Sequence, residues 1–468
     1  MATLRSHDPS APGEEVCTVE EPSEAEVSER LDAALAAWER WRADAPARTA
    51  ALEALADGVA ARAGAFAELM AREVGKPFAE AWAEVGRAEA ILRFHAQAAL
   101  GSTGETFPGS VPGTQVVVSR EPLGAVLAIC PWNFPLAIPL WKAAPALAYG
   151  NVVLMKPATA ALGVATLLAE AAAEALPAGV VALTPLSGAR AGALLDDERI
   201  AAVTFTGSTE VGLEVAVRMA RRAAPAQCEM GGQNPAIVLP DADVEAAAEA
   251  IVSGAMGYAG QKCTATRRAI AVGAVAAPLR EALAKRVRAL RVGLPNEDGV
   301  TIGPLIDASA AEEFESRVAV ALDAGATELA RAEVPAALSA GSGIPGCFVG
   351  PALLAEDNPA ADVNQLETFG PLLTLLTVAD EEAAVAAANA TRFGLVGAVH
   401  GRDLGRAVAV ASRLRTGMRR INAPTPGVDY YAPFGGEGYS GFGPREQGRA
   451  AREFFTSART TTIVPPSS

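Results

Sequence analysis

Apolar residues recur every three to four positions from Ser23 to about Leu100, in a stretch rich in Ala, Glu and Arg. That spacing lays one apolar stripe along a helix, so the stretch predicts several amphipathic helices with Trp38, Trp41 and Trp82 as anchors. The pattern breaks between Gly104 and Pro122, where Gly and Pro punctuation and the β-branched run 116 to 118 predict a hairpin. From Gly124 short apolar runs (125 to 129, 152 to 155, 180 to 183, 201 to 205) alternate with helical stretches (137 to 148, 161 to 175). Strands alternating with helices bury a mostly parallel sheet between helical layers, which predicts an α/β fold and makes a nucleotide site the leading expectation. A second α/β region, roughly 234 to 429, has strand candidates at 236 to 239, 269 to 272 and 372 to 378 and helix candidates at 244 to 255, 279 to 290 and 381 to 390. The tail 454 to 464, with its threonines, reads as a strand able to pair with the hairpin.

Composition narrows the picture. A chain of 468 residues suits two or three domains around two substantial cores, and 50% hydrophobic with 20% charged residues belongs to a folded protein, with disorder expected only at the ends. The formal charge of -15 argues against a nucleic-acid or anionic-membrane partner, both of which need a concentrated basic footprint. The polar, acidic N-terminus shows no secretory leader, and the most apolar region, 123 to 155, is interrupted by Pro, Asn and Lys142, which makes it core rather than a membrane span. The five cysteines lack regular spacing and any CxxC pair, so no metal site is expected and a reducing cytoplasm fits. Only three histidines are present, which leaves a carboxylate as the expected general base.

Three segments could carry chemistry. FTGSTEVG (205 to 212) follows a strand with a glycine turn and a helix start at Ser208, an order that cradles phosphate on backbone amides, although such a glycine is more often only a turn. Gly188 and Gly192 offer a second close approach. Cys263, in GQKCTAT beside Lys262, would be an activated thiol if exposed in an electropositive setting; a lone cysteine is otherwise a small buried hydrophobe. Glu229, in CEMGGQNP, is either a base or a solvated loop charge.

Taken together the segments resemble the aldehyde dehydrogenase superfamily from about residue 20 to the end. In family order the chain carries PWNFP (131 to 135), MKPA (155 to 158), FTGS (205 to 208), EMGG (229 to 232), GQKC (260 to 263), ETFGP (367 to 371) and PFGG (433 to 436). The resemblance implies that Cys263 attacks the aldehyde carbon, that the Asn133 amide and the Cys263 backbone amide hold the oxyanion, and that Glu229 activates the water that hydrolyses the thioester. It implies NAD(P) as cofactor, with Glu367 on the nicotinamide ribose, Phe369 packing nearby and Lys156 at the adenosine ribose. Trp132, Ser208, Gly188 and Gly192 would line the dinucleotide path, and Gly231 would lie near the nicotinamide. Many NAD-dependent members carry a glutamate where this chain has Thr159, so NADP acceptance is expected.

APTPGVDYYAPFGG (423 to 436), GPREQG (443 to 448) and GQKCTAT are similar to the branch that oxidises α-ketoglutaric semialdehyde (2,5-dioxopentanoate), which implies a small acidic semialdehyde. Glu437 and Gly438 replace that branch's basic pair, and Trp141 stands where succinic semialdehyde enzymes place an arginine. Arg267 and Arg268 are then the candidates for gripping a substrate carboxylate. The implied architecture is an aldehyde dehydrogenase-like α/β fold with a Rossmann-type NAD(P)-binding domain (1 to 105 and 123 to 231), an α/β catalytic domain (232 to 450) and a β-hairpin oligomerisation arm (106 to 122 and 451 to 468). A homodimer or homotetramer follows from such an arm. The rival readings are a coenzyme A acylating dehydrogenase, indifferent to Glu229, and a non-enzymatic protein on the same fold.

Overall fold

Four helices, Glu24–Trp41, Ala45–Ala61, Ala63–Val74 and Phe78–Ala98, occupy the region of three-to-four-residue periodicity. The first opens on a capping box: Ser23 accepts from the Glu26 amide while the Glu26 carboxylate takes the Ser23 amide at 2.7 Å. The third ends at Gly75, whose φ of +63° suits a residue without a side chain, and the fourth starts after Pro77. Trp41 is buried and donates to the Leu147 carbonyl at 3.2 Å, anchoring the first helix as expected. Trp82 does not anchor: it is 46% exposed, because the buried stripe of its helix runs through Ala81, Glu84, Val85, Ala88, Ile91 and Leu92. A charged residue, Glu84, sits in the stripe where an apolar one was expected. The computed structural model describes residues 2–102, 104–338 and 347–466; the predicted domain ranges also cross 1, 103, 339–346 and 467–468, which lie outside the described residues.

Two large sheets follow. In the six-stranded sheet the order is Gly441–Phe442, Ala226–Glu229, Ile200–Thr206, Ala125–Ile129, Val152–Lys156, Val181–Leu183, parallel except for the short first strand. The seven-stranded sheet runs Thr327–Arg331, Ala352–Ala355, Leu372–Val378, Thr266–Val272, Asn234–Val238, Val396–His400, Met418–Ile421, antiparallel only at its first strand. Their central strands are buried along nearly their whole length, as strands covered on both faces are. One apolar cluster joins the four helices to the six-stranded sheet, and two others cover the opposite faces of the seven-stranded sheet.

Gly104–Pro108, Gln115–Pro122 and Thr456–Ile463 form a separate antiparallel sheet, with the tail paired to the hairpin from Thr456↔Pro122 to Ile463↔Gln115. The N-terminus differs from expectation. Thr3–Asp8 and Ala11–Glu20 pair as a hairpin, held by Ser6, which donates to the buried Glu73 carboxylate; Glu73 also receives the Gly163 and Val164 amides at 2.6 and 2.9 Å at the start of a helix. The polar sequence of this hairpin gives no hydrophobic alternation to read.

Candidate active site

Ile129, Lys156, Thr206 and Glu229 end four strands of the six-stranded sheet at one edge. Loops leaving the carboxyl ends of parallel strands form the crevice where open α/β sheets take ligands. Here it is a cleft of about 570 Å³, lined among others by Trp132, Lys156, Gly188, Gly192 and Ser208, so five predicted cofactor residues meet in one place. Ser208 caps the helix Thr209–Arg221 by accepting from the Val211 amide at 3.4 Å, presenting the positive end of that helix to the cleft. Burial lowers the pKa of the Lys156 ammonium, which suits a partner rich in acceptors. Ala158 lines the cleft, and Thr159 opens the adjoining turn Thr159–Ala161. Amides, a cation and a helix end in one crevice fit a dinucleotide.

Cys263 is half-buried just before the strand Thr266–Val272, after a turn in which Tyr258, Ala259 and Gly260 all have φ near +50 to +70° (53°, 49° and 68°). Two non-glycine residues in the left-handed region store strain, which the surroundings must hold. Asn234 does part of this, donating to the carbonyls of Cys263 and Ala265 at 2.8 Å each. Tyr258 does the rest through a 2.9 Å bond to the Val74 carbonyl.

Asn133 reaches the same loop. Its Nδ2 donates to the Gln261 carbonyl at 3.0 Å, its Oδ1 accepts from the Phe134 amide at 3.1 Å, and its own carbonyl accepts from Lys76 Nζ at 2.8 Å. One side-chain N–H remains for a substrate oxygen. Lys76 pairs with Glu84, both fully buried, and Glu84 takes the Leu136 and Ala137 amides at 2.9 Å each. The ammonium lies 4.1 Å from the Phe134 ring centre and 4.5 Å from that of Tyr258, so one buried charge underlies both the Asn133 loop and the Cys263 loop.

Glu229 is 4% exposed, which removes the solvated-charge alternative. Its Oε2 has no hydrogen-bond partner among the described residues, and a side chain at Gly435 would come within 2.6 Å of Oε1. Burial first, then the neighbouring Glu446, hold its carboxyl well above the usual range, with Lys142 and Arg445 opposing. Glu446 is itself ion-paired to the buried Lys142, and both bond to Thr204 Oγ1, at 3.1 and 3.0 Å.

Glu367 accepts from the Gly232 amide at 3.0 Å and lies so close to Gly231 that a methyl group there would overlap its Oε2. Burial raises its pKa to about 7 against the pull of Arg267. Phe369 packs edge-on to Trp132 at 5.6 Å. The Cys263 thiol is not in the electropositive setting expected. Burial, then Glu367 and Glu229, push it up to about 12, and Lys262 is turned away into an ion pair with Glu80 at 2.6 Å.

The model of the aldehyde dehydrogenase family matches residues 2–461. The chain belongs to the aldehyde dehydrogenase family. It is 37% identical over 412 residues, 88% of this chain and 84% of that protein, to an alpha-ketoglutaric semialdehyde dehydrogenase of Bacillus subtilis. It is 35% identical over 449 residues, 93% of this chain and 91% of that protein, to a 2,5-dioxopentanoate dehydrogenase of Saccharolobus solfataricus. Among solved structures, betaine aldehyde dehydrogenase from Staphylococcus aureus in complex with NAD+ superimposes with a TM-score of 0.94 at 29% identity, covering 98% of this chain and 91% of that one. The protein is thus an NAD(P)-dependent aldehyde dehydrogenase that oxidises an aldehyde to the carboxylic acid.

Two expectations for this aldehyde dehydrogenase need correction. Arg268 is fully buried and spends its guanidinium on the carbonyls of Gln233, Ala387 and Ala388 at 2.7 to 3.1 Å, while Arg267 is 4% exposed and bonds the Gly370 and Gly260 carbonyls at 2.6 Å. Both guanidinium groups knit backbone together from buried positions, although Arg267 Nε has no partner among the described residues. Conversely Lys76, Glu84, Lys142 and Glu446 escaped the sequence reading. Lys142 carried a signal, since a charge inside the longest apolar run must find a buried partner.

Proposed function

We propose that Cys263 is the nucleophile, that Asn133 and the Cys263 amide stabilise the oxyanion, and that Glu229 is the general base. The Cys263 thiol loses its proton to solvent as sulfur attacks the aldehyde carbon, giving a thiohemiacetal whose oxyanion the spare Asn133 N–H receives, and Glu229 stays unprotonated for the later water. Bound NAD(P)+ supplies the hydride acceptor. A thioester then remains on Cys263, and Glu229 deprotonates the water that releases the free acid, which favours hydrolysis over transfer to coenzyme A. The observation that carries this reading is the 3.0 Å bond from Asn133 to the carbonyl of Gln261, which brings the oxyanion donor to the loop of the nucleophile.

The substrate we infer is a small acidic semialdehyde, on the strength of the motifs at 423 to 436 and 443 to 448 and of the named relatives. Glu367, Phe369, Trp132, Lys156, Gly188, Gly192, Ser208 and Gly231 would hold the dinucleotide. Thr159 beside Lys156 puts no carboxylate against a ribose phosphate, so NADP+ would be accepted. The domain ranges given above, an arm that extends a neighbour's sheet in a dimer or tetramer, and a cytoplasmic setting complete the reading. No helix among the described residues is long and apolar enough to cross a membrane. Wild-type protein assayed with a panel of aldehydes should form NAD(P)H and free acid without coenzyme A, and Cys263→Ala should form neither; turnover that survives the substitution would refute the assignment. Thr159→Glu should shift preference toward NAD+, and an unchanged cofactor ratio would remove the Thr159 argument.

A further inference from the structure

Arg267 is the second residue of the strand Thr266–Val272, four positions after Cys263, and its side chain is buried. Its guanidinium spans two loops. Nη2 donates to the Gly260 carbonyl at 2.6 Å and to the Lys262 carbonyl at 3.5 Å, while Nη1 donates to the Gly370 carbonyl at 2.6 Å. Gly260 lies three residues before Cys263, and Gly370 lies three residues after Glu367. The two loops also touch directly, since a side chain at Gly260 would come within 2.3 Å of the Gly370 carbonyl oxygen. Both carry strained backbone at this contact: Tyr258 and Ala259 on one side and Phe369 on the other have φ of 53°, 49° and 49°.

Burying a guanidinium is unfavourable unless its N–H groups find acceptors, and backbone carbonyls suffice for that. Arg268 shows the purely structural case. Two of its three carbonyl partners, Ala387 and Ala388, belong to the helix Glu381–Asn389, which bears no residue of the proposed chemistry. Arg267 differs in what it joins. One of its loops carries the proposed nucleophile, and the other carries the carboxylate proposed to hold the nicotinamide ribose. Electrostatics agrees with that placement: Glu367, then Cys263, oppose the effect of burial on Arg267, and Arg267 is the largest charge opposing burial at Glu367. Hydride transfer needs the carbon held on Cys263 and the acceptor ring at a fixed separation, and a misplacement of about 1 Å costs about 10²-fold.

We propose that Arg267 is a positioning residue that fixes the Cys263 loop against the Glu367 loop, so that the thiohemiacetal and the nicotinamide ring meet in register. The inference rests on the readings of Cys263 and Glu367 given above. Arg267 acts through Gly260 and Gly370 rather than on the reacting atoms.

The test measures the Kd of NAD(P)+ by fluorescence titration without aldehyde, and the rate of NAD(P)H formation in a single turnover, in wild type, R267M, R267K, G260A and R268M. R267M should raise Kd about 10-fold and lower the single-turnover rate about 10- to 100-fold. R267K should recover little of either, because an ammonium lacks the planar fork that reaches two carbonyls. G260A pushes the same two loops apart, so it should reproduce both changes, which keeps the proposal testable should R267M fail to fold. R268M loses a buried guanidinium of structural role alone and should keep both values within about threefold of wild type. Wild-type values in R267M or in G260A, full recovery in R267K, or losses in R268M as large as those in R267M would overturn the proposal. Undiminished turnover in C263A would refute the reading of Cys263, and an unchanged Kd in E367A that of Glu367; either result removes the proposal too, and these two variants separate that failure from its own.

Discussion

Asn133 and Gln261 are joined by a 3.0 Å hydrogen bond from the asparagine Nδ2 to the glutamine carbonyl, so the proposed oxyanion donor and the loop of the proposed nucleophile are one mechanical unit. Preorganisation of this kind spares the enzyme from reorienting a dipole during the reaction. Asn133→Ala should lower kcat about 10²- to 10³-fold in a steady-state assay. Lys76→Met, which frees the Asn133 carbonyl, should lower it less. Alkylation of Cys263 by iodoacetamide creates no oxyanion, so its rate should stay near wild type in Asn133→Ala; a parallel fall would mean the loop itself had moved.

Glu367 is the largest charge acting on the Cys263 thiol, and it raises the thiol pKa. Glu367→Gln should therefore move the pH profile of alkylation to lower pH. The same substitution has a folding signature. The carboxyl's pKa is raised to about 7 in the folded protein, so the unfolded chain gives up this proton first, and the wild type loses stability as pH rises from the ordinary carboxylate range toward 7. Melting curves should show Glu367→Gln gaining on wild type across that window, and a constant difference would contradict the shift.

Glu229 sits beside Glu446, which raises its pKa, and Lys142, which lowers it. Glu446→Gln should move the alkaline rise of kcat to lower pH, and Lys142→Met should move it higher. Shifts of the same sign in both variants would exclude electrostatic control of the base.

Arg268 holds three backbone carbonyls from a fully buried position. Charged hydrogen bonds contribute about 1.5–3 kcal/mol each, so Arg268→Met should cost at least about 3 kcal/mol in denaturant unfolding. The ratio of acidic to neutral aldehyde turnover should not change.

Much of this was legible in the sequence, and the exceptions share a cause. Strands 125 to 129 and 372 to 378 were bounded to the residue because an apolar run covered on both faces has no competing pattern. Trp132, Lys156, Gly188, Gly192 and Ser208 line one cleft; glycine turns after strands pointed to Gly188, Gly192 and Ser208, whereas Trp132 and Lys156 came only through the family resemblance. Periodicity reports which face of an element is apolar; it is silent on which charged side chains meet inside. Glu84 and Lys76 neutralise each other only through the fold, as do Lys142 and Glu446, whose positions are 304 apart in sequence. The same blindness made Arg267 and Arg268 look available to grip a substrate carboxylate.

The most direct measurement is the intact mass of the Glu229→Gln variant after mixing with aldehyde and NAD(P)+, followed by peptide mapping. A base needed for hydrolysis but not for the preceding step leaves the acyl group stranded. The account predicts a burst of one NAD(P)H per subunit and a single acyl adduct on the peptide containing Cys263. Full turnover without an adduct, or an adduct on any other residue, would contradict it.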